Sequence, residues 1–155
     1  MSIQIATKVL AKAALLDHRI NPTTETVRAW AECFEGQKVW TIEALDSVRA
    51  HYSKQNPFPI MPGDVIVYCE KQPVWSSNEH AWWFLEKMSN YPYSDAIASY
   101  TGIRFPEIDP PAGQSLEQER AWLKETRRKW VHENRQTLIG AILSNRHNPQ
   151  RELGA

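Results

Sequence analysis

The chain has 155 residues, 42% of them hydrophobic and 23% charged, which suits one domain or one domain with an appended piece. Eighteen basic residues balance eighteen acidic ones, so the overall positive field of a nucleic-acid coat protein is excluded. Cys33 and Cys69 stand apart with no CxxC, which argues against a zinc knuckle or a disulfide framework. Both cysteines read as buried small hydrophobes of a reducing compartment. No apolar run approaches the roughly 18 residues of a membrane span, and the N-terminus lacks signal-peptide features. The expected setting is the cytoplasm, with no membrane partner.

The first element is a helix over residues 3–16, with Ala6, Val9, Leu10, Ala13 and Leu16 on one face. Pro22 forces Asn21 out of helical geometry and ends the break that begins at Asp17. Thr23 then caps a second helix whose stripe is Val27, Trp30, Ala31 and Phe34, with Gly36 as its stop and Trp30 as the central core residue. Thr41 caps a third helix, with Leu45, Val48 and Tyr52 inward. The run from Val65 to Tyr68 has strand propensity. Pro62 at a first helical position and Asp64 at a helix start nevertheless predict a short fourth helix.

Residues 72–114 read as a linker carrying short helices. Ser76-Ser77-Asn78-Glu79 is a capping box, in which serine and glutamate satisfy each other's orphan amides. It opens a helix through Met88, with Ala81, Phe84, Leu85 and Met88 on one side. Another short helix is expected between Tyr93 and Tyr100. A second capping box, Ser115 to Gln118, starts a long basic, tryptophan-bearing helix placed within residues 115–146. Its apolar doublets fall at Trp122/Leu123, Trp130/Val131, Leu138/Ile139 and Ile142/Leu143. Steps of eight residues rotate the stripe by about 80° each time. The helix therefore bends near Asn134 or its two ends touch different things, and dimerisation through the winding stripe is compatible with either. Residues 147–155 are expected to fray. The expected fold class is all-α: a small N-terminal helical bundle over residues 1–71 and a C-terminal helical extension.

Enzyme signatures are missing. The six glycines are scattered and none precedes a lysine, so no phosphate-cradling loop is indicated. His132 to Gln136 lacks the second histidine of a metalloprotease helix. No Gly-x-Ser-x-Gly elbow occurs. No catalytic residue, metal or cofactor is expected.

One resemblance emerges from the order of features in residues 1–71. An amphipathic helix leads into Asp17-x-Arg19, then a helix centred on Trp30, then a helix ending Ala50-His51-Tyr52, then Met61-Pro62-x-Asp64-Val65. This pattern resembles the small ATP-independent loader/inhibitor proteins that phages and prophages direct at the hexameric replicative helicase. The resemblance implies a bundle of four or so helices that binds the helicase, holds it inactive and delivers it to an initiator-marked origin. It also implies that the C-terminal portion contacts the helicase. Residues 73–155 depart from the family by being longer and rich in tryptophan, and Met61 stands where Ser or Thr often precedes the proline.

The residues expected to contact a partner come from the C-terminal half. Arg120, Lys124, Arg127, Arg128 and Arg135 gather positive charge along the long helix, with Trp122 and Trp130 interleaved. Arginine with tryptophan anchors protein interfaces and also stacks single-stranded bases, so a weak DNA contact is the alternative. A plain solvated face, with Glu125 paired to Lys129, would give the same pattern. Trp82-Trp83-Phe84 cannot all face one core, because neighbours on a helix point about 100° apart. At least one of these rings covers another element or meets a partner. Asp17, Arg19, His51, Tyr52 and Asp64 read mainly as architecture.

Overall fold

Caps and prolines decide where the helices of this protein begin, as its computed structural model shows for residues 1–144 and 146–148. Among the described residues there are eight helices and no strand, so the chain is all-α. In chain order they are α1 (Ser2–Leu16), α2 (Thr24–Phe34), α3 (Thr41–Tyr52), α4 (Pro62–Glu70), α5 (Asn78–Ser89), α6 (Ala96–Thr101), α7 (Leu116–Glu133) and α8 (Arg135–Leu143). The chain divides into two units, Met1–Pro73 and Val74–Ala155.

In the first unit α1 packs on α2 and α3, and α4 packs on α2 and α3. Thr23 caps α2 by accepting from the Thr26 amide at 3.1 Å. Gly36 follows at φ +73°, a conformation that suits a residue without a side chain. Leu10, Val48, Ile60, Val65 and Cys69 are fully buried, and Trp30 meets Phe34 edge to face at 6.0 Å. The segment from Val65 to Tyr68 is helix rather than strand, with Pro62 in the first turn and Asp64 accepting from the Met61 amide at 2.9 Å.

Several expectations for this unit need correction. Leu16 is exposed, and Ile5 takes its place in the α1 stripe. Trp40, not Thr41, is the N-cap of α3, whose inward face runs through Ala44, Ser47, Val48 and His51, with Leu45 only half-buried. Cys33 is exposed because it lies about 100° around α2 from the buried Phe34, whereas Cys69 is buried. Burial pushes the Cys69 thiol up to about 11.

In the second unit α5 packs on α7 and α8, and α6 on α5 and α8. Ala81, Leu85, Ile97, Val131, Leu138 and Ile142 form its core. Residues 78–89 and 96–101, expected within a linker, are therefore integral to this unit. Ser77, one residue later than expected, caps α5 by accepting from the His80 amide at 3.1 Å. The second box is as expected: the Ser115 amide donates to Gln118 Oε1 at 2.9 Å, and Ser115 Oγ accepts from the Gln118 amide at 3.3 Å.

The bend near Asn134, one of the two alternatives that the winding stripe left open, is a full break, and the single long helix is two. At Asn134 the backbone leaves the helical region (φ −105°, ψ 18°), and the Asn134 side-chain amide donates to the Trp130 carbonyl at 2.9 Å. The break re-aims the stripe, so Val131 of α7 and Leu138, Ile139 and Ile142 of α8 all join one core. Of the tail expected to fray, Asn148 is buried and His147 stands close over Gly102. A Cβ added at Gly102, whose φ is +72°, would lie 2.6 Å from the His147 ring. Residues 149–155 lie outside the described residues.

Candidate partner-binding surface

Three of the residues that carry the family resemblance, Asp17, Arg19 and Tyr52, are joined in one polar network in the first unit. Asp17 follows the last turn of α1 and is buried. Its Oδ1 accepts from the Arg19 amide at 3.0 Å and from Arg19 Nε at 2.9 Å. Its Oδ2 accepts from Arg19 Nη2 at 3.1 Å and from the Tyr52 hydroxyl at 2.7 Å. Tyr52 accepts in turn from the Ile60 amide at 3.1 Å, and Arg19 Nη2 donates to the Pro57 carbonyl at 2.9 Å. His51 Nε2 donates to the Phe58 carbonyl at 2.6 Å.

These bonds fasten the connection between α3 and α4 to the end of α1. Hydrogen bonds from Arg19, opposed by burial and helped by Tyr52, hold the Asp17 carboxyl well below the usual carboxylate range. Burial raises the Tyr52 phenol. The network performs architectural work, and it places no nucleophile beside a general base.

In the second unit Arg127 turns inward. It is only 6% exposed and donates from Nη1 to the Pro92 carbonyl at 2.6 Å and from Nη2 to the Ser94 carbonyl at 2.5 Å. Burial lowers its pKa, yet an arginine keeps its proton at any physiological pH. Arg127 is therefore a clamp on the turn between α5 and α6, and burial withdraws it from the expected contact face. It borders a cavity of about 640 Å³ shared with Arg104, Ser94, Phe105 and Trp130. Trp130 is half-buried and packs edge to face on Phe105 at 5.5 Å, so it too serves the fold.

The remaining expected residues divide. Arg135 lies over the Trp82 ring at 4.4 Å, and His132 meets the same ring edge-on at 5.0 Å. Lys87 lies over the Trp83 ring at 5.0 Å. Trp83, Lys87, Arg128 and His132 line a hollow of about 410 Å³. Arg128 and His132 also line a second hollow of about 540 Å³, with Lys124 and Lys129. Trp82, Trp83, Lys124, Arg128 and Arg135 thus share a region spanning α5, α7 and the start of α8. Arg120 is exposed on α7, one turn before Lys124. Trp122 is half-buried about 120° around α7 from Arg128, and so lies off this face.

Lys87 and His132 were not anticipated. Each lies four residues after an expected contact, Trp83 and Arg128, which places it on the same helix flank. Lys129 pairs with Glu133 at 3.9 Å, rather than with Glu125. Among the described residues no three His, Cys, Asp or Glu side chains gather as a metal site, and no helix is long and apolar enough to cross a membrane. No protein-family model, curated protein or solved structure matches the chain.

Proposed function

We propose that this is a non-enzymatic protein of phage or prophage DNA replication, which binds the hexameric replicative helicase and loads or inhibits it in the cytoplasm. The observation that carries this reading is the closure of Asp17, Arg19 and Tyr52 into one network, flanked by His51 and Asp64, within a four-helix unit. An ordered set of weak motifs with a joint structural purpose makes a stronger resemblance than the same motifs scattered. The second unit adds a surface of cations and half-buried indoles, a composition suited to protein interfaces. The mechanism is occupancy: the protein covers a helicase surface that must move during translocation, until an origin-binding initiator accepts the complex.

Size-exclusion chromatography with light scattering on the protein mixed with its cognate helicase tests this directly. A complex of defined stoichiometry that survives physiological salt is expected. Separate elution at both low and physiological salt would remove helicase binding. A second reading, a single-stranded nucleic-acid accessory protein, draws on the same cations beside indoles. It requires affinity that falls with salt along a log–log slope of several units.

A further inference from the structure

The groove along α5 and α7 has more specific features than a generic basic patch. The hollow of about 410 Å³ lies between α5 and α7, and the one of about 540 Å³ lies on α7 alone, from Ala121 to His132; the two share Arg128 and His132. Lys87, Lys124 and Arg128 are exposed there, and none has a carboxylate within ion-pair distance among the described residues. Two acidic residues, Glu86 and Glu125, stand in the same walls. The cations are therefore available, but the field is interrupted by negative charge. Discrete carboxylates can fit between such points, whereas a continuous phosphodiester track would meet both glutamates.

The indoles narrow the choice of occupant further. A nucleobase binds such a site by stacking on an open ring face. Here Arg135 lies over one face of Trp82 and Lys87 over one face of Trp83, so a base stacking on those faces would have to displace the cations. A carboxylate instead gains from a cation held in place by the ring beneath it. Half-buried ring edges would still offer apolar contact to the side chains between the acids.

We propose that the groove between α5 and α7, together with the adjoining face of α7, docks an acidic segment of the partner protein, with Lys87, Lys124 and Arg128 receiving its carboxylates and Trp83 its apolar side chains. This rests on the reading of the protein as a protein-binding factor, and it names the chemistry of the surface that the partner must present.

The test uses the full chain and fluorescence anisotropy of a labelled helical peptide of Glu, Leu and Ala. Controls are the same peptide with each Glu replaced by Gln, and an oligothymidylate. The wild type should bind the Glu peptide and not the Gln peptide. Lys124→Glu combined with Arg128→Glu should weaken binding at least about tenfold, as expected for charge pairs across an interface. Lys8→Glu with Arg28→Glu makes an equal charge change in the first unit and should bind like wild type. Arg128→Gln is the milder variant, and circular dichroism checks that each variant is folded. Absence of Glu-peptide binding, wild-type affinity in Lys124→Glu/Arg128→Glu, or tighter binding of oligothymidylate through these residues would each overturn the proposal.

Chromatography with the helicase separates the two ideas. Equal helicase binding by wild type and the double variant would discard the groove and leave the helicase role. Charge-dependent peptide binding without any helicase complex would keep the groove and discard the helicase role.

Discussion

The two units solve the same problem with different chemistry. Each must hold a non-helical connection against its helices by satisfying backbone groups. The first unit uses an arginine neutralised by a buried aspartate, with a tyrosine hydroxyl relaying the attachment to Ile60. The second uses Arg127, which meets only carbonyl oxygens and feels Asp95 through space. In the first unit the buried charge is the aspartate, and the exposed Arg19 compensates its desolvation. A buried cation held by carbonyls alone depends fully on those hydrogen bonds. Arginine is thus a structural fastener in both units and, at Arg128 and Arg135, an exposed cation in the second. Hydrogen-bond partners, more than residue type, separate these roles: Arg19 is exposed and Arg127 buried, yet both hold backbone carbonyls.

The comparison can be broken most decisively at Arg127. Replacement by Ala removes two charge-assisted hydrogen bonds to the 92–94 turn and should destabilise the second unit by about 2–3 kcal/mol. Hydrogen exchange read by mass spectrometry should show lost protection in peptides from residues 90–143 and unchanged protection in residues 1–73. Equal loss in both units would contradict the division.

Tyr52→Phe is the matching change in the first unit, and its effect should be smaller, about 1–2 kcal/mol. The ring still packs, and only one donated and one accepted bond are lost. Denaturant titration of both variants gives the ranking, and a Tyr52→Phe cost above that of Arg127→Ala would reverse it.

The last comparison turns on a pH dependence that is confined to acid. The folded carboxyl of Asp17 titrates below its ordinary range, so its stabilisation is complete above about pH 4 and is lost as pH falls below that. Melting temperatures of wild type and Asp17→Asn should therefore converge as pH drops from neutrality towards 2. A difference independent of pH would mean that the aspartate acts by shape rather than charge.

Much of the fold was legible because it depends on local rules. The Thr23 cap, the Ser115–Gln118 box, Pro62 at the head of α4 and the Gly36 stop act within a few residues of themselves. The division between the two units falls after Pro73. Residues 72–114 were harder. Short helices with few local signals depend on what packs against them, and α6 is secured by α5 and α8 rather than by its own six residues.

The candidate surface was legible as a composition but not as an arrangement. Counting basic residues and tryptophans on α7 found Arg128, Lys124 and, just beyond it, Arg135, yet placed Arg127 and Trp130 beside them. No periodicity separates adjacent arginines by role when the helix must bury one flank. Lys87 and His132 entered only when α5 and α7 were brought side by side.

By itself, then, the sequence determined the all-helical class, most helix starts and the region that holds the exposed charge, because propensity, capping and local charge spacing are short-range effects. Tertiary structure alone decided which arginine is buried and which cation lies over Trp82. Those outcomes depend on burial and on contacts between residues far apart in the chain, which no local pattern encodes.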